Sequence, residues 1–225
     1  AAPGDARFAY QAGLMDEEQK HLAAAAALHT RALALDPALH HALGQLVFLK
    51  RQLCDWRDLD ALSARVRARV REGAPGIAPF AFLAEPAGPD EQLRCARTAA
   101  AGIDAGAAAL QRGLAFAHAP RAGERLRVGF ASNGFGNHPT GLLLVALIEA
   151  LCDHLDAVVF STSVHDDSPI RRRLRDAAAE WHDVAELAPL ALARHIDAMA
   201  LDALIDLRGY GGRGTAETPA LPPAP

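Results

Sequence analysis

One histidine of this chain lies in a glycine-rich turn: His138 belongs to the segment Arg125–Gly141, which reads RLRVGFASNGFGNHPTG. Near neutral pH an imidazole can orient a hydroxyl group or accept its proton. The turn separates a short apolar segment, 128–131, from an almost wholly apolar run, Leu142–Leu151. A buried strand, a glycine turn and a buried helix open a nucleotide-binding type of α/β unit. We therefore expect the chemistry of the chain at this turn.

The glycines of this turn do not complete a known phosphate-binding motif. Gly134 and Gly136 have the first spacing of G-x-G-x-x-G, but Pro139 occupies the position of the third glycine. No GKS or GKT sequence follows, which excludes a P-loop. The turn can still offer backbone N–H groups at a helix amino terminus, with Thr140 as the predicted N-cap. The alternative is an ordinary tight turn in which His138 is only a polar loop residue.

From Arg125 onward, apolar strand patterns alternate with helix patterns. Strands are predicted at 126–131, 157–161 and 203–207, with a short edge segment at 181–184. Helices are predicted at 140–152, 168–179 and 188–200, the second with Ser168 as its N-cap. Strands joined by helices of this length indicate a parallel sheet with right-handed crossovers. Ligands of such a sheet bind beyond the carboxyl ends of its strands.

A second glycine turn follows the predicted strand 203–207. Gly209, Gly211 and Gly214 have G-x-G-x-x-G spacing, but no apolar helix follows them. The turn therefore lacks the context of a dinucleotide site. Two interpretations of this turn are possible at this point: a flexible glycine loop and a loop that faces a ligand. Both turns fall at the same edge of the predicted sheet.

The chain before residue 120 is rich in Ala, Leu and Arg with helical spacing. A helix is predicted to end at Leu35, and the following Asp36-Pro37 completes the ALxLDP ending typical of a tetratricopeptide repeat. Further helices are predicted at 39–53, 59–70 and 91–101. No second copy is visible at the repeat period of about 34 residues, so an ordinary helical bundle is the alternative. The predicted domains are 1–120, which is helical, and 121–225, which is α/β.

The composition of the chain argues against several classes of function. The net charge of −4 and the pI near 6.2 argue against a nucleic-acid-binding surface. Cys54, Cys95 and Cys152 form no C-x-x-C pair, which suggests neither a disulfide framework nor a zinc site. Cys152 is expected to be buried, and Trp56 to pack between helices. The sequence shows no signal peptide and no membrane-spanning stretch, which predicts a cytoplasmic protein without a membrane partner.

Four segments, in the same order, resemble the protein O-GlcNAc transferases, the SPINDLY-like glycosyltransferase family 41. The first glycine turn, FASNGFGNHPTG, is similar to the family segment that contains HPT. The other three are Cys54-Asp55-Trp56, Pro79–Leu83 and Asp206–Tyr210 with its following glycines, and the ending 222–225 is similar to the family's LRPAP. The resemblance runs from about residue 28 to the C-terminus and is closest to the bacterial members.

The resemblance implies an α+α/β fold. A helical tetratricopeptide-like region would be followed by the Rossmann-like N-terminal lobe of a GT-B glycosyltransferase, without its C-terminal donor lobe. The implied reaction is the inverting transfer of N-acetylglucosamine from UDP-GlcNAc to a Ser or Thr of a protein or peptide acceptor. No cofactor and no obligatory metal are expected, and nucleic acid is not an expected partner.

The resemblance assigns the catalytic role to His138, as a general base or as an orienting group for the acceptor hydroxyl. Arg208 and Gly211 stand where some relatives carry Asn and Thr, so those donor contacts are not transferred. Most donor contacts are expected in a second lobe beyond Pro225, and without it the chain is expected to be inactive. The implied substrate-binding residues come from both glycine turns: Asn137, Pro139, Thr140, Asp206, Gly209 and Tyr210.

Two other function classes stay open at this point. One is a non-catalytic helical-repeat module that binds proteins and is fused to a Rossmann-like half-domain. The other is a different α/β enzyme, such as an epimerase or a hydrolase, although the sequence has no G-x-S-x-G elbow.

Overall fold

The computed structural model describes residues 4–112, 114, 116, 118, 125–211 and 217–224. The chain divides into two compact units, Ala1–Gly102 and Ile103–Pro225. The first unit is helical, and the second contains the predicted α/β region. The domain boundary predicted at residue 120 lies outside the described residues.

The helices before residue 112 are α1 (Ala6–Glu18), α2 (Leu22–Leu35), α3 (His40–Gln52), α4 (Leu59–Arg71), α5 (Pro79–Phe82) and α6 (Pro89–Gln111). The predicted helix end at Leu35, before Asp36-Pro37, is confirmed. The predicted helices at 39–53 and 59–70 are confirmed as α3 and α4. Helix α6 ends at Gln111 rather than at residue 101, because its alanines favour the helix strongly enough to carry it past two glycines. Of the helices that the structure describes, none is both long and apolar enough to span a lipid bilayer.

Apolar residues at helical spacing build the core of the first unit. On α4, the buried residues Leu59, Val66 and Val70 share one helix face. They belong to a cluster whose other members come from α3, α5, α6 and their connections. Arg67 lies beside this face, and its Nη2 donates to the Oε2 atom of Glu91 at 2.8 Å. Helices α4 and α6 are therefore joined by polar as well as apolar contacts.

The second unit contains the parallel strands β1 (Leu126–Ser132), β2 (Leu155–Ser161), β3 (Glu180–Asp183) and β4 (Ala203–Asp206), joined by α7 (Pro139–Leu151), α8 (Pro169–Ala177) and α9 (Pro189–Asp197). The strand order is β3-β2-β1-β4. The predicted parallel sheet and its short edge strand are confirmed. Ser168 is the N-cap of α8, as predicted, and its hydroxyl oxygen accepts from the backbone N–H of Arg171.

Helices cover both faces of the sheet, because successive strand side chains point to opposite faces. Phe130 of β1 packs in one cluster with Ile148 of α7 and Leu174 of α8. On the other face, Phe160 of β2 packs in a cluster with Ile196 of α9. Burial of each large apolar side chain contributes about 1.5–3 kcal/mol. Helices thus pack against the sheet on both sides, and this packing fixes the positions of its strand ends.

The structure contradicts the predicted burial of Trp56 and Cys152. Trp56 is 65% exposed. Polar contacts shape the turn before α4 instead, since the Asp55 carboxylate accepts from Lys50 Nζ at 2.7 Å and from the Arg57 side chain. Cys152 is exposed because α7 ends at Leu151, so the thiol lies just beyond the packed helix face.

We predict that two of the three cysteines react readily with a thiol reagent. Cys54 and Cys152 are exposed, whereas Cys95 is 3% exposed. Burial raises the pKa of the Cys95 thiol to about 11, so its reactive thiolate is scarce near neutral pH. Titration of the native protein with Ellman's reagent should show two fast thiols and a third that reacts only on unfolding. Three equally fast thiols would contradict this packing.

Candidate active site

The two glycine turns begin at neighbouring strand ends. Strand β1 pairs with β4 so that Ala131 lies opposite Asp206, and the N–H of Leu207 donates to the Ala131 carbonyl oxygen at 3.0 Å. On its other side β1 pairs with β2. The chain thus leaves β1 toward β2 through α7, whereas β4 joins the opposite side of β1 after α9. Such a switch point opens a crevice at the carboxyl ends of the strands, where ligands of open parallel sheets bind.

His138 is the N-cap residue of α7. Its Nδ1 accepts a hydrogen bond from the backbone N–H of Thr140 at 3.1 Å. The prediction of Thr140 as the N-cap is wrong by two positions, because Pro139 occupies the first helical position. Proline suits that position, since its φ is already helical and its missing N–H would have no helical partner there.

This hydrogen bond determines which ring nitrogen of His138 can act on a ligand. A backbone N–H only donates, so Nδ1 must be unprotonated. The neutral imidazole then carries its proton on Nε2 and offers a donor there. In this geometry His138 can bind and orient an oxygen atom, but it cannot accept a proton at Nε2.

Close contacts, rather than an unusual backbone, require Gly134 and Gly136. Neither residue has a positive φ. A Cβ atom at Gly134 would lie 2.5 Å from His138 Nδ1, so a side chain there would displace the imidazole. A Cβ atom at Gly136 would overlap the carboxylate of Asp166. The spacing of these glycines is therefore explained by the packing of the loop.

Side chains from the segment after β2 bind the backbone of the first loop. The N–H of Phe135 donates to Ser163 Oγ at 2.8 Å, and the N–H of Asn137 donates to Asp166 Oδ2 at 2.9 Å. Hydrogen bonds from the Ser168 hydroxyl first, and then from the Asn137 N–H, hold the pKa of Asp166 below its ordinary value. Asp166 is therefore a carboxylate at neutral pH. Because the Asn137 N–H is already bonded, Asn137 would contact a ligand through its side chain, which is exposed.

Asp206 and Gly209 shape the second loop. The Asp206 carboxylate accepts from the N–H of Arg208 at 2.8 Å and from the N–H of Gly209 at 3.0 Å. Gly209 has a φ of 50°, a left-handed conformation that glycine adopts without steric cost. Tyr210 follows and is 39% exposed. The rest of the predicted glycine spacing, Gly214, lies outside the described residues.

The structure brings all the predicted site residues to loops at one edge of the sheet. Residues 137–140 follow β1, and residues 206, 209 and 210 end or follow β4. Sequence reasoning missed Ser163, Asp166 and Arg171, which bind the first loop. The nearest sequence signal was Ser168-Pro169, and it indicates only a helix start.

Two further observations bear on the predicted site, one on metal ligands and one on a cavity. Within the residues that the structure describes, no group of three or more His, Cys, Asp or Glu side chains could hold a metal ion. A cavity of about 330 Å³ in the helical unit is lined by residues that include His40, Leu43 and Arg65, and by none of the predicted site residues. The sheet edge with its two loops is the candidate site, because the predicted residues lie there.

Comparison with known protein families matches residues 53–225 to the model of glycosyl transferase family 41. The chain is 29% identical over 187 residues to a probable UDP-N-acetylglucosamine–peptide N-acetylglucosaminyltransferase, SEC, of Arabidopsis thaliana. It is 28% identical over 189 residues to a UDP-N-acetylglucosamine–peptide N-acetylglucosaminyltransferase of Caenorhabditis elegans. Each alignment covers 77% of this chain but only 19% and 16% of the two relatives, so the chain spans less than a fifth of their length.

Among solved structures, a mutant of the O-GlcNAc transferase of Thermobaculum terrenum matches the chain with a TM-score of 0.57. The match covers 100% of this chain and 43% of that protein, at 22% sequence identity. At this identity the likeness concerns the fold, a helical region followed by a small parallel sheet.

We predict that Gly136→Val lowers the free energy of unfolding by at least about 1 kcal/mol. The new side chain must displace the Asp166 carboxylate and disturb its hydrogen bond with the Asn137 N–H. Gly102→Val is the matched control, because a Cβ atom there meets nothing within 4 Å and valine is no worse than glycine inside a helix such as α6. Urea unfolding, followed by circular dichroism, measures both variants. Equal midpoints for the two would show that the loop accommodates the side chain freely.

Proposed function

The chain belongs to glycosyl transferase family 41, and from this premise we propose that it carries the acceptor side of a sugar-transfer site. The family model confirms the family predicted from the four sequence segments. The proposed reaction is inverting transfer of N-acetylglucosamine from UDP-GlcNAc to the hydroxyl of a Ser or Thr in a protein or peptide. The names of the two curated relatives, both UDP-N-acetylglucosamine–peptide N-acetylglucosaminyltransferases, support this choice of donor and acceptor.

The observation that supports this function best is the hydrogen bond from the Thr140 N–H to His138 Nδ1, which leaves Nε2 as a donor beside the switch point of the sheet. In an inverting transfer the acceptor oxygen attacks the anomeric carbon, while the bond to UDP breaks with its electron pair on the phosphate oxygen. A donor at Nε2 can hold the acceptor oxygen in line for that attack. We propose that His138 orients this oxygen, and that the hydroxyl proton leaves to another base, because Nδ1 is already an acceptor for Thr140.

The neighbouring residues have supporting roles in this proposal. The first turn of α7, which begins at Pro139, favours the negative charge of a diphosphate. The exposed side chains of Asn137 and Tyr210 can contact the substrate. Asp206 and Gly209 give the second loop its shape.

The strand order supports a more detailed assignment of the fold. The order β3-β2-β1-β4 is that of the first four strands of the dinucleotide-binding fold. We therefore propose that the second unit is the Rossmann-like N-terminal lobe of a GT-B glycosyltransferase. The ALxLDP ending of α2 supports a tetratricopeptide-like repeat in the first unit. From the resemblance, a second lobe would supply most contacts to the UDP moiety.

We predict that His138→Asn in the complete gene product lowers sugar transfer to a Ser/Thr peptide by about a hundredfold or more. The asparagine oxygen can still cap α7, but it offers no donor at the position of Nε2. His138→Ala removes both the cap and the donor and should also abolish transfer. Transfer of radiolabelled N-acetylglucosamine from UDP-GlcNAc measures the rates, and circular dichroism checks the fold.

His154→Ala is the matched control for these variants, because His154 is exposed beyond the other end of α7. It should keep the wild-type rate. Near wild-type transfer by His138→Asn would refute the donor role. A loss that occurs only in His138→Ala would show that the imidazole does no more than cap the helix.

We also predict that residues 1–225 bind UDP only weakly. The proposed division of labour gives this chain the acceptor side and gives a second lobe most donor contacts. Isothermal titration of residues 1–225 with UDP, beside the same titration of the complete gene product, tests the division. Micromolar binding by residues 1–225 would mean that this lobe holds the nucleotide, and the two-lobe assignment would then be wrong.

A further inference from the structure

A buried arginine lies behind the loop that carries His138. Arg171, in the first turn of α8, is 3% exposed. Its Nη1 donates to the carbonyl oxygen of Phe135 at 3.0 Å, and its Nη2 donates to the carboxylate of Asp183 at the end of β3. The Cζ atom lies 5.0 Å from the centroid of the Trp181 ring. At this burial the guanidinium is unable to meet a ligand.

The burial of Arg171 is costly for a residue that serves stability alone. Taking a charge out of water costs several kcal/mol, and apolar residues of similar volume often stabilise a protein as well or better. The contacts of Arg171 are therefore better explained by what they fix. They tie the Phe135 carbonyl, three residues before His138, to the end of β3.

Asp166 binds the same loop at a second point. Its Oδ2 accepts from the Asn137 N–H at 2.9 Å, and Ser163 Oγ accepts from the Phe135 N–H at 2.8 Å. The N–H and the carbonyl of Phe135 and the N–H of Asn137 thus all bond to side chains of the segment 163–171. This segment comprises most of the connection from β2 to α8 and the first turn of α8, and it contains none of the residues predicted for the site.

We propose that Arg171 and Asp166 are positioning residues for His138. They hold the peptide groups of Phe135 and Asn137, and this backbone places the imidazole so that Nδ1 caps α7 and Nε2 stays the donor. The proposal rests on the proposed function in one respect only, which is the action of the imidazole on a substrate. The positioning itself is a property of this chain and can be measured without sugar transfer.

The test follows the loop by NMR in residues 1–225 of Asp166→Ala and Arg171→Met. The decisive signals are the exchange rate of the Thr140 amide and the ¹⁵N shift of His138 Nδ1. Neither substituted side chain is a partner in the Thr140–His138 hydrogen bond. A change in that bond must therefore result from a change in the loop backbone. In both variants we expect the Thr140 amide to exchange at least about tenfold faster. The Nδ1 shift should move away from that of a hydrogen-bonded acceptor.

Matched controls come from Asp167 of the same segment and from Arg173, two positions after it in α8. Asp167→Ala keeps the backbone carbonyl that accepts from Arg172. Arg173→Met removes only an exposed ion pair with Glu149. Both controls should keep the wild-type signals of the first loop. Amides of β2, such as that of Val158, should stay protected in every variant, which separates lost positioning from a general loss of stability.

Unchanged Thr140 exchange and Nδ1 shift in folded Asp166→Ala would overturn the proposal. If Arg171→Met does not fold, Asp166→Ala decides alone, because Asp166 lies in a partly exposed connection. If the variants disturb His138 while the complete gene product transfers no sugar, the positioning holds and the proposed function fails. The two proposals therefore fail in different measurements.

Discussion

The second unit depends on the parallel pairing of β1 with a strand on each of its sides. Strand β1 ends at Ser132, and the backbone groups of the loop that follows have no ladder partners. Buried backbone polar groups need other partners at such a point. Ser163, Asp166 and Arg171 supply them. The crevice, its loop and the side chains behind the loop all follow from the central position of β1.

His138 joins an observed role as N-cap to its proposed role in sugar transfer. As an N-cap it satisfies the Thr140 N–H, a contribution of about 1 kcal/mol that Ser, Thr, Asp or Asn would also provide. Those residues lack a second ring nitrogen that points away from the cap. An imidazole can accept at one nitrogen and donate at the other, so the helix start itself sets the tautomer. This coupling would let the side chain proposed to bind the acceptor stand directly before Pro139.

Local patterns predicted the elements of the second unit well, because the apolar runs and Ser168-Pro169 act within a few residues. The contacts of the first loop could not be predicted from local patterns. The constraint on Gly136 is the Asp166 carboxylate, which lies thirty positions further along the chain. Arg171 stands in a run of three arginines, and only the fold distinguishes the buried one. Pro139 did contain the true N-cap signal, since proline favours the first helical position.

Pro139 also restricts the residue before it. A proline ring clashes with a helical conformation of its predecessor and confines that residue to extended backbone; His138 has a ψ of 151°. Few backbone states are therefore open to His138 even in the unfolded chain. The loop loses its conformational entropy when the protein folds, and a substrate does not have to order it again. In the proposed reaction, even a short, weakly held acceptor peptide would then meet a side chain that is already in place.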